Sequence, residues 1–205
     1  MERTGSNLYS IPNILSLLRL ALVPVLVGLA SAQRGDIFLV VLAVSLLSDV
    51  LDGYLARKLG LVSELGAKLD SWGDILTYAA MILGLHLIWP DIFDKQAEFL
   101  FAAMMSFILP TLLAFRKFGA YPSYHTWGAK LAAVLMAPAY YVLILADADS
   151  FFRVVILFHL LVAAEEMAIT FILNRPRSNV GSVFYLGSDL SGRRKPRSNT
   201  DRKST

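Results

Sequence analysis

Four aspartates, Asp49, Asp52, Asp70 and Asp74, lie in stretches otherwise apolar enough for hydrocarbon. At a bilayer centre each such charge costs roughly 2.5 to 3.5 kcal/mol, so four of them so close in sequence need compensation. Asp49 and Asp52 are spaced i, i+3, and Asp70 and Asp74 are spaced i, i+4. On helices each pair shares one face, and a short connection between the helices would bring the pairs together. Carboxylates with no His or Cys among them form a hard-oxygen set, suited to Mg²⁺, Mn²⁺ or Ca²⁺ and poorly suited to zinc. The sequence contains no cysteine, which excludes disulfides, thiolate catalysis and thiolate-bound metal centres. Gly53, directly after Asp52, permits close backbone approach, and Arg57, one turn on, can fork onto phosphate oxygens. An acidic cluster of this kind also suits a cation-binding transporter, the alternative from another functional class.

The elements that must hold these residues are legible in the hydropathy. The chain has 205 residues, 56% of them hydrophobic and 17% charged, with a mean hydropathy of +0.58. That is more apolar than a single water-soluble core requires. A helix crosses the hydrocarbon layer in about 20 residues. Apolar stretches fall at about 11–32, 36–57, 67–89, 97–116, 128–146 and 151–173. The expected fold is therefore all-α, an integral membrane bundle of six transmembrane helices filling residues 1–174. Breaks are expected at Arg34 to Asp36, Lys58 to Glu64, Pro90 to Lys95, Lys117 to Trp127 and Asp147 to Ser150. Residues 175–205, rich in Ser, Asn, Arg and Lys, are expected to form a basic, disordered cytoplasmic tail.

Of the nineteen Lys and Arg, fifteen fall on the side of the membrane that would carry both termini. Three, Arg34, Lys95 and Arg153, fall on the other, and Arg19 lies within the first span. The positive-inside rule then places both termini and the loop after Arg57 in the cytoplasm.

The run Asp49-x-x-Asp52-Gly53-x-x-Ala56-Arg57, eight residues, then Gly66-x-x-x-Asp70-x-x-x-Asp74 resembles the complete signature of the CDP-alcohol phosphotransferase family. The opening Ile11-Pro12-Asn13-Ile14-Leu15-Ser16-Leu17-Leu18-Arg19 extends the likeness, which is nearest to the phosphatidylglycerophosphate synthases. The resemblance implies a membrane phosphatidyltransferase, commonly a homodimer, that takes CDP-diacylglycerol as donor and a small hydroxyl compound as acceptor. It implies Mg²⁺ or Mn²⁺ held by Asp49, Asp52, Asp70 and Asp74, with Asp74 also taking the acceptor's proton. Gly53 and Arg57 would contact the CDP diphosphate, Asn13 would lie at the nucleotide, and Ser63 would offer a hydroxyl to the donor. Membrane lipids are the expected surroundings, a bacterial inner membrane the expected location with the active site facing the cytoplasm, and no nucleic acid is expected as a partner.

The acceptor is less sharply marked. The motif closes as Asp70-Ser71-Trp72-Gly73-Asp74-Ile75, where the phosphatidylglycerophosphate synthases usually read Asp-Pro-x-Ala-Asp-Lys. The serine is similar to the serine and inositol branches, so serine, inositol and inositol phosphate stand beside glycerol 3-phosphate, the preferred acceptor. Arg116, Lys117 and Lys130 cluster at the expected cytoplasmic boundary, where they suit an anionic acceptor or simply snorkel. Glu165 and Glu166, deep in the sixth span, are expected to pair with Arg19 or Lys130 or to meet a dimer contact. His86, His125 and His159 are scattered and are read as local packing.

The topology is directly testable because the chain has no cysteine of its own. Single cysteines at positions 34, 93 and 148 should label from outside and one at position 62 only after permeabilisation. External labelling at 62 with none at 93 would invert the arrangement.

Overall fold

In lipid each backbone N–H and C=O must be paired within the protein, which makes the helix the natural form of a long isolated apolar run. The computed structural model describes residues 10–61, 64–119 and 126–173. Among these residues there are six helices and no strand: α1 (Ile11–Ser31), α2 (Gly35–Leu59), α3 (Glu64–Ile88), α4 (Pro90–Phe118), α5 (Trp127–Ala146) and α6 (Asp149–Ile172). All six are long and apolar enough to cross a membrane, as the hydropathy implied. Many of their large apolar side chains, Val40, Leu47, Phe101, Val134 and Leu161 among them, are exposed, as expected where the solvent is lipid.

One boundary differs from the sequence reading by more than a few residues. The segment Pro90 to Lys95, expected as a connection, forms the start of α4. Proline at the first helical position has its φ already set and lacks an N–H that would go unpaired there, and Asp91 in the first turn complements the helix dipole. The expected tail, 175–205, lies outside the described residues.

The chain divides into two compact units, Met1–Ala97 and Glu98–Thr205. In the first, α1 packs along both α2 and α3, which approach each other much less closely. α1 ends where the Ala32 N–H bonds the Gly28 carbonyl, and Gln33 takes a positive φ of 54° to turn the chain into α2. α2 and α3 meet where glycines remove bulk. A Cβ at Gly35 would lie 2.9 Å from the Trp89 ring, and the Phe38 ring lies directly over Gly84. Phe38 meets Trp89 edge to face at 6.2 Å and is wholly buried with Leu26, Ala30, Leu42 and Leu85. α2 stops at Gly60, whose left-handed conformation (φ 65°) lets its N–H return to the Ala56 carbonyl.

In the second unit α5 packs on α6, burying Ala139, Leu143, Phe152, Ile156 and Ile169. Thr126 caps α5, its hydroxyl accepting from the Ala129 N–H at 3.1 Å. Lys117 donates to the Thr170 and Phe171 carbonyls near the end of α6, at 2.9 and 3.0 Å. His86 stacks edge-on against Phe93 and His159 donates to the Val155 carbonyl, both local packing as expected. His125 lies outside the described residues.

The close fit of Phe38 over Gly84 carries a prediction. Gly to Ala inside a helix normally gains about 1 kcal/mol in propensity. Gly84→Ala should instead lose about 1 to 3 kcal/mol, because the new methyl must displace a buried ring. Thermal unfolding in detergent reads the sign, and a raised midpoint would contradict it.

Candidate active site

Three helices of the first unit contribute. On α1, Asn13, Ser16 and Arg19 recur every third residue, and all three are buried. On α2, Asp49 and Asp52 lie about one turn apart, Gly53 follows Asp52 directly and Arg57 comes one turn later. On α3, Asp70, Gly73 and Asp74 occupy a little over one turn. Because α1 lies along both of the others, its polar side chains are the ones that bridge the two aspartate pairs.

Arg19 is the centre of the arrangement, with its side chain only 1% exposed. Its Nη1 contacts Asp49 Oδ1 and lies 3.1 Å from Asp74 Oδ1. Its Nη2 donates to Asp70 Oδ1 and to the Asp70 backbone carbonyl, each at 2.9 Å. One guanidinium thus holds one oxygen from each of three carboxylates. The approach is possible because residue 73 is glycine: a Cβ there would lie 2.5 Å from Arg19 Nε and 2.6 Å from Nη2. Nε itself is buried without a hydrogen-bond partner.

Asp49, Asp70 and Asp74 each offer a carboxylate oxygen within 4.8 Å of the others, close enough to share a metal ion. Their side chains are 32%, 48% and 46% exposed, so the cluster is open on the side away from Arg19. Asp52 is placed differently. It is buried, and its Oδ2 accepts a 2.8 Å hydrogen bond from the Ser16 hydroxyl. Arg57 is exposed and folds back over Gly53, its Nη1 lying 3.4 Å from where a Cβ at that position would be. Of the other expected site residues, Asn13 is buried on α1, while Ser63 lies outside the described residues. Arg116 and Lys130 belong to the second unit and are exposed there, Lys130 over the Trp127 ring at 5.1 Å.

Two site residues escaped the sequence reading, Arg19 and Ser16. The sequence offers Arg19 as a partner for Glu165 or Glu166; among the described residues it pairs with Asp49, Asp70 and Asp74. The signal was present: an arginine within a span needs an anionic partner, and it shares a helix face with Asn13 and Ser16. Glu165 brings Oε2 to 3.5 Å from where a Gly128 Cβ would be, beside the first turn of α5, where the helix dipole favours negative charge.

A family model described as CDP-alcohol phosphatidyltransferase matches residues 9–172. The chain belongs to that family. It is 33% identical over 144 residues to a cardiolipin synthase (CMP-forming) of Streptomyces coelicolor, covering 67% of this chain and 66% of that protein. It is 38% identical over 86 residues to CDP-diacylglycerol–glycerol-3-phosphate 3-phosphatidyltransferase 2 of Arabidopsis thaliana, covering 38% of this chain and 35% of the relative. It is also 38% identical over 80 residues to a human cardiolipin synthase (CMP-forming), covering 38% of this chain and 27% of that one. The matches therefore span two thirds or less of each relative's length. No solved structure matches the chain.

The Ser16 contact generates a stability prediction. A hydrogen bond to a buried charged group contributes about 1.5 to 3 kcal/mol, so Ser16→Ala should lower stability by about that amount. Asp52→Asn can still accept from the hydroxyl and should lose less. Thermal unfolding of the two variants orders them, and the reverse order would show that the bond does not support the fold.

Proposed function

We propose that this family member transfers the phosphatidyl group of CDP-diacylglycerol to a hydroxyl of a small alcohol, glycerol 3-phosphate, releasing CMP, in phospholipid biosynthesis. The observation that carries the reading is that Asp49, Asp70 and Asp74, drawn from both halves of the family signature, form one half-open oxygen cluster.

That donor set fits a hard divalent ion, Mg²⁺ or Mn²⁺. Asp49, Asp70 and Asp74 would hold it, with Asp52 as a fourth ligand through the oxygen that Ser16 does not engage. When bound, such an ion neutralises charge on the diphosphate as its bridging bond breaks. Arg57, lying over Gly53, forks onto the same diphosphate, and Asn13 and Ser63 are assigned to the nucleotide and donor. Arg116 and Lys130 are candidates, on charge alone, for the phosphate of the acceptor.

The chemical step needs no covalent intermediate. The acceptor oxygen bonds to the phosphorus that carries diacylglycerol, the bond from that phosphorus to the CMP oxygen breaks, and CMP leaves with the electron pair. The acceptor's proton passes to Asp74. Arg19 donates to Oδ1 of this carboxylate and fixes its orientation, so that Oδ1 is the oxygen an ion would compete for and the second oxygen is left to act as base. The protein would work as a homodimer in a bacterial inner membrane, with the site facing the cytoplasm.

The relatives named cardiolipin synthase favour a second acceptor. From the constitution of cardiolipin, such a reaction places a phosphatidyl group on a glycerol hydroxyl of a lipid that already carries one, so phosphatidylglycerol belongs in the assay.

The test is purified protein with CDP-diacylglycerol and a panel of glycerol 3-phosphate, phosphatidylglycerol, serine, inositol and inositol phosphate, following CMP and lipid product. Product with glycerol 3-phosphate, abolished by chelator and restored by Mg²⁺ or Mn²⁺, is expected. Full turnover in excess chelator would remove the metal from the scheme. Product from phosphatidylglycerol alone would reassign the acceptor. Asp74→Asn should lower kcat by about 10² to 10⁴, whereas loss of Arg57 should chiefly weaken donor binding. Near-normal turnover in a folded Asp74→Asn variant would end its role as base.

A further inference from the structure

The least expected feature of the site is that a cation already stands in it. Arg19 reaches Oδ1 of Asp49, Asp70 and Asp74 from the buried side. These are the carboxylates grouped closely enough to share an ion, and Nη1 alone serves two of them, as a metal would. Without a positive charge there, three carboxylates within 4.8 Å of one another would repel strongly beside low-dielectric surroundings. Its Nε is left buried and unpaired, and the absence of a side chain at Gly73 is what admits it. A side chain satisfied so incompletely by neutral partners is held there by the charge.

We infer that Arg19 is a built-in counter-cation that keeps Asp49, Asp70 and Asp74 assembled before metal arrives, and that a divalent ion must compete with it for them. The second clause rests on the metal reading above; the first does not. Both follow from one electrostatic fact. A fixed positive charge in contact with these oxygens stabilises the metal-free cluster and opposes a further cation at the same place. Metal affinity in the absence of substrate is thereby held down, and Arg19 acts as a positioning residue through the aspartates rather than on substrate.

The experiment compares the full-length protein with Arg19→Gln, Arg19→Lys and Arg19→Gln/Asp70→Asn in detergent. Two readouts are taken: thermal midpoint in chelator, and Mn²⁺ binding by electron paramagnetic resonance without donor. Arg19→Gln should unfold about 5 °C or more lower in chelator, with the loss largely recovered on adding Mn²⁺. It should bind Mn²⁺ about tenfold more tightly than the parent protein. Arg19→Lys, which keeps the charge and loses the fork, should keep the weaker Mn²⁺ binding of the parent. The double variant, with one carboxylate neutralised, should regain stability in chelator without any metal.

Unchanged or weaker Mn²⁺ binding in Arg19→Gln would overturn the competition. A chelator midpoint that neither falls in Arg19→Gln nor recovers in the double variant would overturn the counter-cation. If Arg19→Gln alone does not fold, the double variant still decides, since a packing role for Arg19 predicts that it too fails. Absence of Mn²⁺ binding in every variant would remove the metal reading and the competition with it, while the chelator midpoints continue to decide the counter-cation.

Discussion

Four carboxylates in a lipid-spanning chain set the constraint that the rest of the first unit satisfies. Their charge cannot be left bare, and Arg19 meets three of them with one planar group. A guanidinium suits this task because its nitrogens diverge in a fixed fork, whereas an ammonium would have to approach three oxygens as a point. The helix arrangement follows. α1 lies along both α2 and α3 because it carries the cation that joins them, and α2 and α3 need approach each other closely only where Gly35 and Gly84 allow it.

The same arrangement divides the four aspartates by environment. Asp52 is buried and accepts from the Ser16 hydroxyl, which anchors one of its oxygens inside the protein. Asp49, Asp70 and Asp74 are held at one oxygen from below and remain open above, the side from which a charged substrate would come. A cluster that is anchored on one side and accessible on the other suits phosphoryl transfer, where positioning and charge compensation supply most of the rate enhancement. A transporter site would leave the placement of Gly53 beneath Arg57 without purpose, and membership of the CDP-alcohol phosphatidyltransferase family removes the need for that alternative.

The second unit contributes a different use of charge. Lys117 ends on the last carbonyls of α6, Glu165 lies beside the first turn of α5, and Lys130 stacks on Trp127. The first two place charge against the helix end of opposite sign, a favourable and local interaction that ties the end of α4 to α6 through Lys117 and α6 to α5 through Glu165. It accounts for Lys117 at the end of α4 and for Glu165 within α6 without assigning them chemistry.

The sequence by itself determined the class of fold and the chemical type of the site. Apolar runs of about 20 residues pair their backbones in lipid as helices, so six helices were legible, all but the start of α4 to within a few residues, and the spacing of Asp49, Asp52, Asp70 and Asp74 named a hard-oxygen cluster. The start of α4 was misread because Pro90 and Asp91 serve equally as turn residues and as a helix N-terminus, and only the continuing chain tells which. What tertiary structure decided was pairing. Arg19 lies thirty or more residues from every aspartate it holds, and a lone intramembrane arginine has several anions in reach by sequence alone. The choice was made by packing: α1 meets α2 and α3 along its polar face, and Gly73 leaves open the space through which the guanidinium reaches the cluster.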